Sequence, residues 1–175
     1  QYLQFDGDTV KSTQLNPSSE FMAWIENNLL LFDSGISHVS GDLHQEVWKK
    51  YSKGDQEVIG GLERIRHMTQ EMLEAIRIES TESFGRSLYR ASSSVNLLGK
   101  EFNAPFEKHL EPLQFDEAIM AWKVMGAGAG GVVGIVLNNE HGREQVTELA
   151  KEQGWTEIEW AIEPQGIVRN VNLHE

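Results

Sequence analysis

Apolar residues recur along this chain with two different periods, and the changes of period divide it into elements. At the start, YLQFD and TVKS flank Asp6-Gly7, a dipeptide that closes two-residue hairpins because it tolerates positive φ. Asn16-Pro17 marks a turn, and a short helix is expected from near Ser18. LLLFD (29–33) is a continuous apolar run of strand length. Asp42 and Gln45 have capping-box spacing ahead of a helix with Leu43, Val47, Trp48 and Tyr51 on one side. Asp55 caps a longer helix, where Val58, Ile59, Leu62, Ile65, Met72, Leu73 and Ile76 make one stripe. Ser80 starts the next, with Phe84, Leu88, Ala91, Val95 and Leu98 facing one way and Gly99 ending it.

The spacing assigns no element to residues 100–115. Asp116 reads as the cap of a helix through Ile119 and Trp122 that runs into a glycine-rich stretch. VVGIVL (132–137) is β-branched and fully apolar, which predicts a strand covered on both faces, central or near-central in an antiparallel sheet. EHGREQVTELAKEQG is an amphipathic helix on Val146, Leu149 and Ala150, stopped by Gly154. TEIEWAIEP alternates Ile158, Trp160 and Ile162 with polar residues; Pro164-Gln165-Gly166 is a turn, and IVRNVNL a last strand. Trp48, Trp122 and Trp160 fall on apolar faces and read as core; Trp24 and Trp155 do too, with an interdomain seal as their alternative. The order is α+β.

The stretch WKVMGAGAGGVVGIVL (122–137) carries the main functional question. Gly126, Gly128 and Gly131 match the G-x-G-x-x-G spacing of a dinucleotide-binding loop. That loop needs a strand before it and a helix after it, so that pyrophosphate meets the helix N-terminus. Here the expected order is helix, glycines, strand, and a Rossmann oxidoreductase is set aside on that ground. A tight turn accounts for one or two glycines. Gly126, Gly128, Gly130 and Gly131, with only Ala127 and Ala129 between them, instead leave a stretch of bare backbone that could lie against phosphate oxygens or another loop.

The formal net charge of −12 argues against nucleic acid or an anionic membrane as the partner. No apolar run approaches the roughly 20 residues that span a bilayer. The absence of cysteine excludes disulfides and thiolate metal sites, and fits a cytoplasmic protein. The chain opens at Gln1, directly on strand-like sequence, and is expected to be part of a longer polypeptide.

The glycine segment and its surroundings resemble the GHMP kinases, named for galacto-, homoserine, mevalonate and phosphomevalonate kinases. KVMGAGAGGVVGIVL is similar to their third, glycine-rich motif, with Lys123 before the loop and an apolar strand after it. YLQFDGDTVKSTQLNP, a short helix, and LLLFDSGISHVSG resemble the heptose-7-phosphate and fucose kinase branch. His38 stands where that branch usually has Arg, so a guanidinium fork suited to phosphate is missing.

The resemblance implies a ferredoxin-like C-terminal domain over 17–175, with an antiparallel sheet and an inserted group of helices, preceded by a hairpin (1–16) left from an N-terminal kinase domain. It implies ATP and Mg²⁺ as cofactors of the full-length protein and a sugar or sugar phosphate as acceptor. Gly126, Ala127, Gly128, Ala129, Gly130 and Gly131 would brace substrate and phosphates, and Ser34, Gly35 and His38 would contact substrate. The family's phosphate loop and catalytic Asp are not in this sequence, so no catalytic residue is assigned here. The chain alone is expected to be inactive and to pair with a second copy through its hairpin. Gly128→Val is expected to spare the fold and cut phosphoryl transfer. The alternative is a non-catalytic small-molecule-binding or regulatory α+β module.

Two further clusters read as structural. His38, Asp42 and His44 are close in sequence but match no metal-ligand spacing. Ser92-Ser93-Ser94 lies within a helical pattern and reads as back-bonded serines. Glu82 and Arg86 form an i, i+4 pair.

Overall fold

The computed structural model describes residues 1–37, 40–126 and 128–163. A hairpin of β1 (Tyr2–Asp6) and β2 (Thr9–Thr13) turns at Gly7, whose φ of +55° is the conformation the Asp-Gly signal anticipates. It forms a two-stranded sheet of its own. Helix α1 (Ser19–Asn28) is capped by Ser18, whose hydroxyl accepts from Phe21 N–H, and feeds directly into β3 (Leu29–Asp33). Four helices follow: α2 (Ser40–Ser52), α3 (Gln56–Arg77), α4 (Thr81–Val95) and, after a short 3-10 turn at Lys100–Phe102, α5 (Ala104–Phe115). Asp55 and Ser80 cap α3 and α4 as expected, because a cap is a local bond that sequence alone encodes. Asp42 lies in the first turn of α2 rather than at its cap, since that helix already begins at Ser40.

The chain then forms β4 (Ile119–Val124), β5 (Val132–Leu137), α6 (Glu140–Gln153) and the two-residue β6 (Thr156–Glu157). The four-stranded sheet runs β4-β5-β3-β6, antiparallel throughout, with β5 inside it. Read in chain order the pattern is strand, helices, two strands, helix, strand, which is the ferredoxin-like topology with extra helices in its first crossover.

One face of this sheet presents Leu30, Phe32, Trp122, Val124, Val133 and Ile135 to Phe106 and Leu110 of α5, Val146 and Ala150 of α6, and Trp155. The other face packs on the α1 and α4 side, where Trp24 and Phe21 meet Phe84 edge-on. VVGIVL is therefore covered on both faces, as its composition requires. A smaller core joins Val47 of α2, Val58 of α3 and Phe102, with Leu43, Leu62, Val95 and Leu98 around it.

The helix expected over about 116–124 is wrong. Asp116 ends α5, and Ile119–Val124 is a strand. The cause is a β-bulge: Ile119 pairs with Leu137 and Ala121 with Val136, so Met120 is an extra residue. The bulge puts Ile119 and Trp122 on one face three positions apart, which imitates a helical stripe. Helix α5 carries Pro105 and Pro112, and its apolar spacing is too sparse to announce it. Trp48, expected in the core, is 63% exposed. Beyond β6, Ile158 to Ile162 form no strand, and Trp160 is held half-buried through its indole N–H on Leu29 O. The turn at Pro164-Gly166 and the last strand lie outside the described residues.

Candidate functional site

The glycine stretch is the turn of the β4–β5 hairpin, joining strand to strand rather than helix to strand. With no helix after Gly131, the Rossmann reading stays excluded. Met125 N–H closes the ladder on Val132 O at 2.8 Å. Beyond it Gly126, Gly128 and Gly131 have φ of +68°, +85° and +70°, which only glycine adopts freely. Ala129 does the same at +63°, at a cost of about 1–2 kcal/mol for an L-residue.

That strain is held by bonds on both sides of the turn. Gly131 O accepts from Ser34 N–H at 3.0 Å and from Ser34 Oγ–H at 2.6 Å, while Gly131 N–H donates to Ile36 O at 3.0 Å. On the other flank Ala129 N–H donates to Phe102 O at 2.8 Å. Ser34 is thus brought to the glycine turn, but its hydroxyl is engaged by the protein itself, accepting also from Ile36 N–H. Gly35, at φ +66°, gives its N–H to Asp33 Oδ1. His38 and Ala127 lie outside the described residues.

The glycines serve different purposes. A Cβ on Gly128 would stand 2.6 Å from Cδ1 of the buried Phe102 ring, so this glycine is needed for packing inside the protein. Gly128→Val is therefore not the fold-sparing change that sequence suggests. A Cβ on Gly126 would meet open space. Among the described residues, the N–H groups of Gly126, Gly128 and Gly130 have no recorded acceptor. Clustered N–H donors of this kind make a concavity for anionic oxygen.

Beside the turn a cavity of about 200 Å³ is lined by Gly126 and Gly128, by the second core, and by His44, Asn103 and Lys123. Lys123 lies on β4, with its ammonium donating to Val124 O at 2.9 Å, and desolvation lowers its pKa from the ordinary lysine value. No carboxylate among the described residues lines this cavity. Among the described residues no three His, Cys, Asp or Glu side chains converge on a metal position. Ser93 and Ser94 bond back to Tyr89 O and Arg90 O within α4, as expected, whereas the buried Ser92 hydroxyl makes no hydrogen bond among the described residues.

No family profile and no curated protein matches the chain by sequence. Solved structures do match its shape. A Lin0012 protein from Listeria innocua superposes with a TM-score of 0.67 at 13% identity, over 86% of this chain and 41% of that one. Streptococcus pneumoniae phosphomevalonate kinase, solved with phosphomevalonate and AMPPNP, gives 0.62 at 15% identity, over 85% and 40%. This is the GHMP-kinase fold. A D-glycero-D-manno-heptose 1-phosphate kinase from Bacteroides thetaiotaomicron gives 0.57 at 14% identity, over 86% and 38%. The chain thus spans about two-fifths of the length of these structures, as a C-terminal-like part of the GHMP-kinase fold.

The site residues that sequence did not single out are Phe102 and Asn103. Both come from the 100–115 stretch, where neither periodicity nor a motif points to them. Lys123 stood in the sequence motif, but its place in an apolar cavity depends on the strand that the bulge conceals.

Proposed function

We propose that this chain is the C-terminal domain of an ATP-dependent kinase that phosphorylates a hydroxyl of a sugar or sugar phosphate. The observation that carries the reading is the pinned glycine turn, with the N–H groups of Gly126, Gly128 and Gly130 uncommitted among the described residues, on a GHMP-kinase fold. Phosphoryl transfer needs little covalent chemistry from the protein; positioning and charge stabilisation dominate. In this reading the turn braces nucleotide phosphates and acceptor at a fixed distance from β4 and β5. It supplies no base.

Mg²⁺ requires oxygen ligands, and the turn offers donors rather than carboxylates. The described site residues therefore do not fit the metal, and no step is assigned to it here. The base and the principal phosphate loop come from the rest of the protein in this proposal, with residues 1–16 as part of an N-terminal domain and 17–175 as the C-terminal one. The isolated hairpin, which shares no strand with the main sheet, supports that division. A non-catalytic binding module is the second reading, favoured by a cavity whose described lining residues include no carboxylate.

The two readings separate in one assay. The complete gene product is given Mg-ATP and a panel of hexoses, heptoses and their phosphates, and ADP is measured. Acceptor-dependent ADP is expected, absent from residues 1–175 alone, and reduced at least tenfold by Gly126→Asn, which tolerates the φ of +68° there and whose side chain enters open space in this domain. A folded complete protein with no turnover on any acceptor would favour the binding module, and turnover by the isolated chain would place the catalytic groups within it.

A further inference from the structure

We infer that the cavity between α2, α3, α4 and the glycine turn is a binding site for a small amphipathic anion: a short apolar body carrying one carboxylate or phosphate. The walls are Val47, Leu62, Val95, Leu98 and Phe102, contributed by three helices and the 3-10 turn. These five offer no hydrogen-bonding side chain, and the amide N–H groups of the buried Asn103 beside them are engaged by Ser92 O and Asn96 Oδ1. A polyhydroxylated body there would therefore lose most of its water bonds without replacement. The volume of about 200 Å³ corresponds to roughly seven waters at about 30 Å³ each, which suits a chain of four to seven carbons.

The anion is specified by Lys123. Among the described residues it is the only Lys or Arg lining the cavity, and it has no ion pair. Its ammonium donates, among the described residues, to the neutral carbonyl of Val124 alone. A half-buried ammonium without a counter-charge is unfavourable, as its lowered pKa reflects. A ligand carboxylate or phosphate would supply that charge. His44 and Trp48, both exposed, stand at the solvent side and leave the cavity accessible.

This inference concerns binding and holds whether or not the protein turns over ATP, so its test reads no activity. Calorimetric titration of the folded chain uses four probes: hexanoate, butyl phosphate, hexanol and glucose 6-phosphate. Hexanoate or butyl phosphate should bind with a negative heat-capacity change, the mark of apolar burial. Which of the two binds more tightly identifies the head group. Lys123→Met should weaken that binding at least tenfold while leaving the weaker affinity for hexanol unchanged. Leu62→Trp, which fills the cavity, should abolish both. Lys123→Arg keeps the charge and should retain binding within a few fold, guarding against a variant that merely misfolds. Glucose 6-phosphate binding as tightly as hexanoate, or hexanoate binding that ignores Lys123→Met, would overturn the proposal.

Discussion

Glu79 shows how one side chain ties two distant segments together. It follows α3 with φ +55°, an unusual conformation for a residue with a Cβ, and its carboxylate reaches back 61 positions to Ser18. The Ser18 hydroxyl and N–H both donate to it at 2.6 Å, so the residue that caps α1 is itself held by the turn between α3 and α4. Those two bonds lower the Glu79 pKa, the hydroxyl contributing most and the N–H next, against a smaller desolvation effect. The folded state therefore favours the ionised form. Its contribution is fully present above the ordinary glutamate value and is lost as pH falls through the lowered one. Urea titrations of the wild type and Glu79→Gln should differ most at neutral pH. The gap should begin to narrow near the ordinary glutamate value of about 4.3 and close only as pH falls through the lowered one. A gap that stays constant with pH would mean the bonds do not depend on the charge.

At the scale of elements, close approach of backbones decides which glycines are replaceable. Gly142, in the first turn of α6, donates its N–H to the Asn139 cap. A Cβ there would sit 1.9 Å from the Ala118 carbonyl oxygen, just before β4, and that oxygen already accepts from Asn138 N–H. Backbone cannot swing aside as a long side chain can. Gly142→Ala should destabilise the fold by on the order of 2 kcal/mol, despite the better helix propensity of alanine. Gly60, inside α3 with open space around it, is the control; Gly60→Ala should stabilise by about 0.5–1 kcal/mol. Equal effects of the two changes in urea denaturation would refute the docking argument. The same contrast between local and distant causes explains what sequence disclosed. Asp55 was legible as a cap, and Ser18 and Ser80 as helix starts, because a cap and its helix are neighbours in the chain. Strand β4 was not, because the bulge at Met120 is defined by pairing with β5 and shifts the apolar spacing to a helical period. The glycine turn was legible as bare backbone, whereas the ring of Phe102 beneath Gly128 arrives from a stretch with no pattern of its own.

For the molecule as a whole, the β1–β2 hairpin is the part least accounted for by its own contacts. Phe5 pairs with Val10 and Leu3 with Ser12, so Leu3, Phe5 and Val10 share one face of the ribbon. These three are 47%, 73% and 55% exposed. A two-stranded ribbon with one uncovered apolar face is marginal alone and offers two free edges. In the proposed kinase the N-terminal domain covers that face; in residues 1–175 by themselves a second copy is the available cover. The net charge of −12 opposes such pairing, and salt screens that repulsion while leaving apolar contact intact. Self-association of the isolated chain should therefore rise with protein concentration and with ionic strength, opposite to the salt response of an interface built on ion pairs. Phe5→Asp places a charge at the most exposed position of the face and should return the chain to monomer at every salt concentration. Sedimentation equilibrium across a concentration series measures both effects. A wild-type chain that stays monomeric throughout would show that the ribbon needs no cover, and a dimer that persists in Phe5→Asp would move the interface elsewhere.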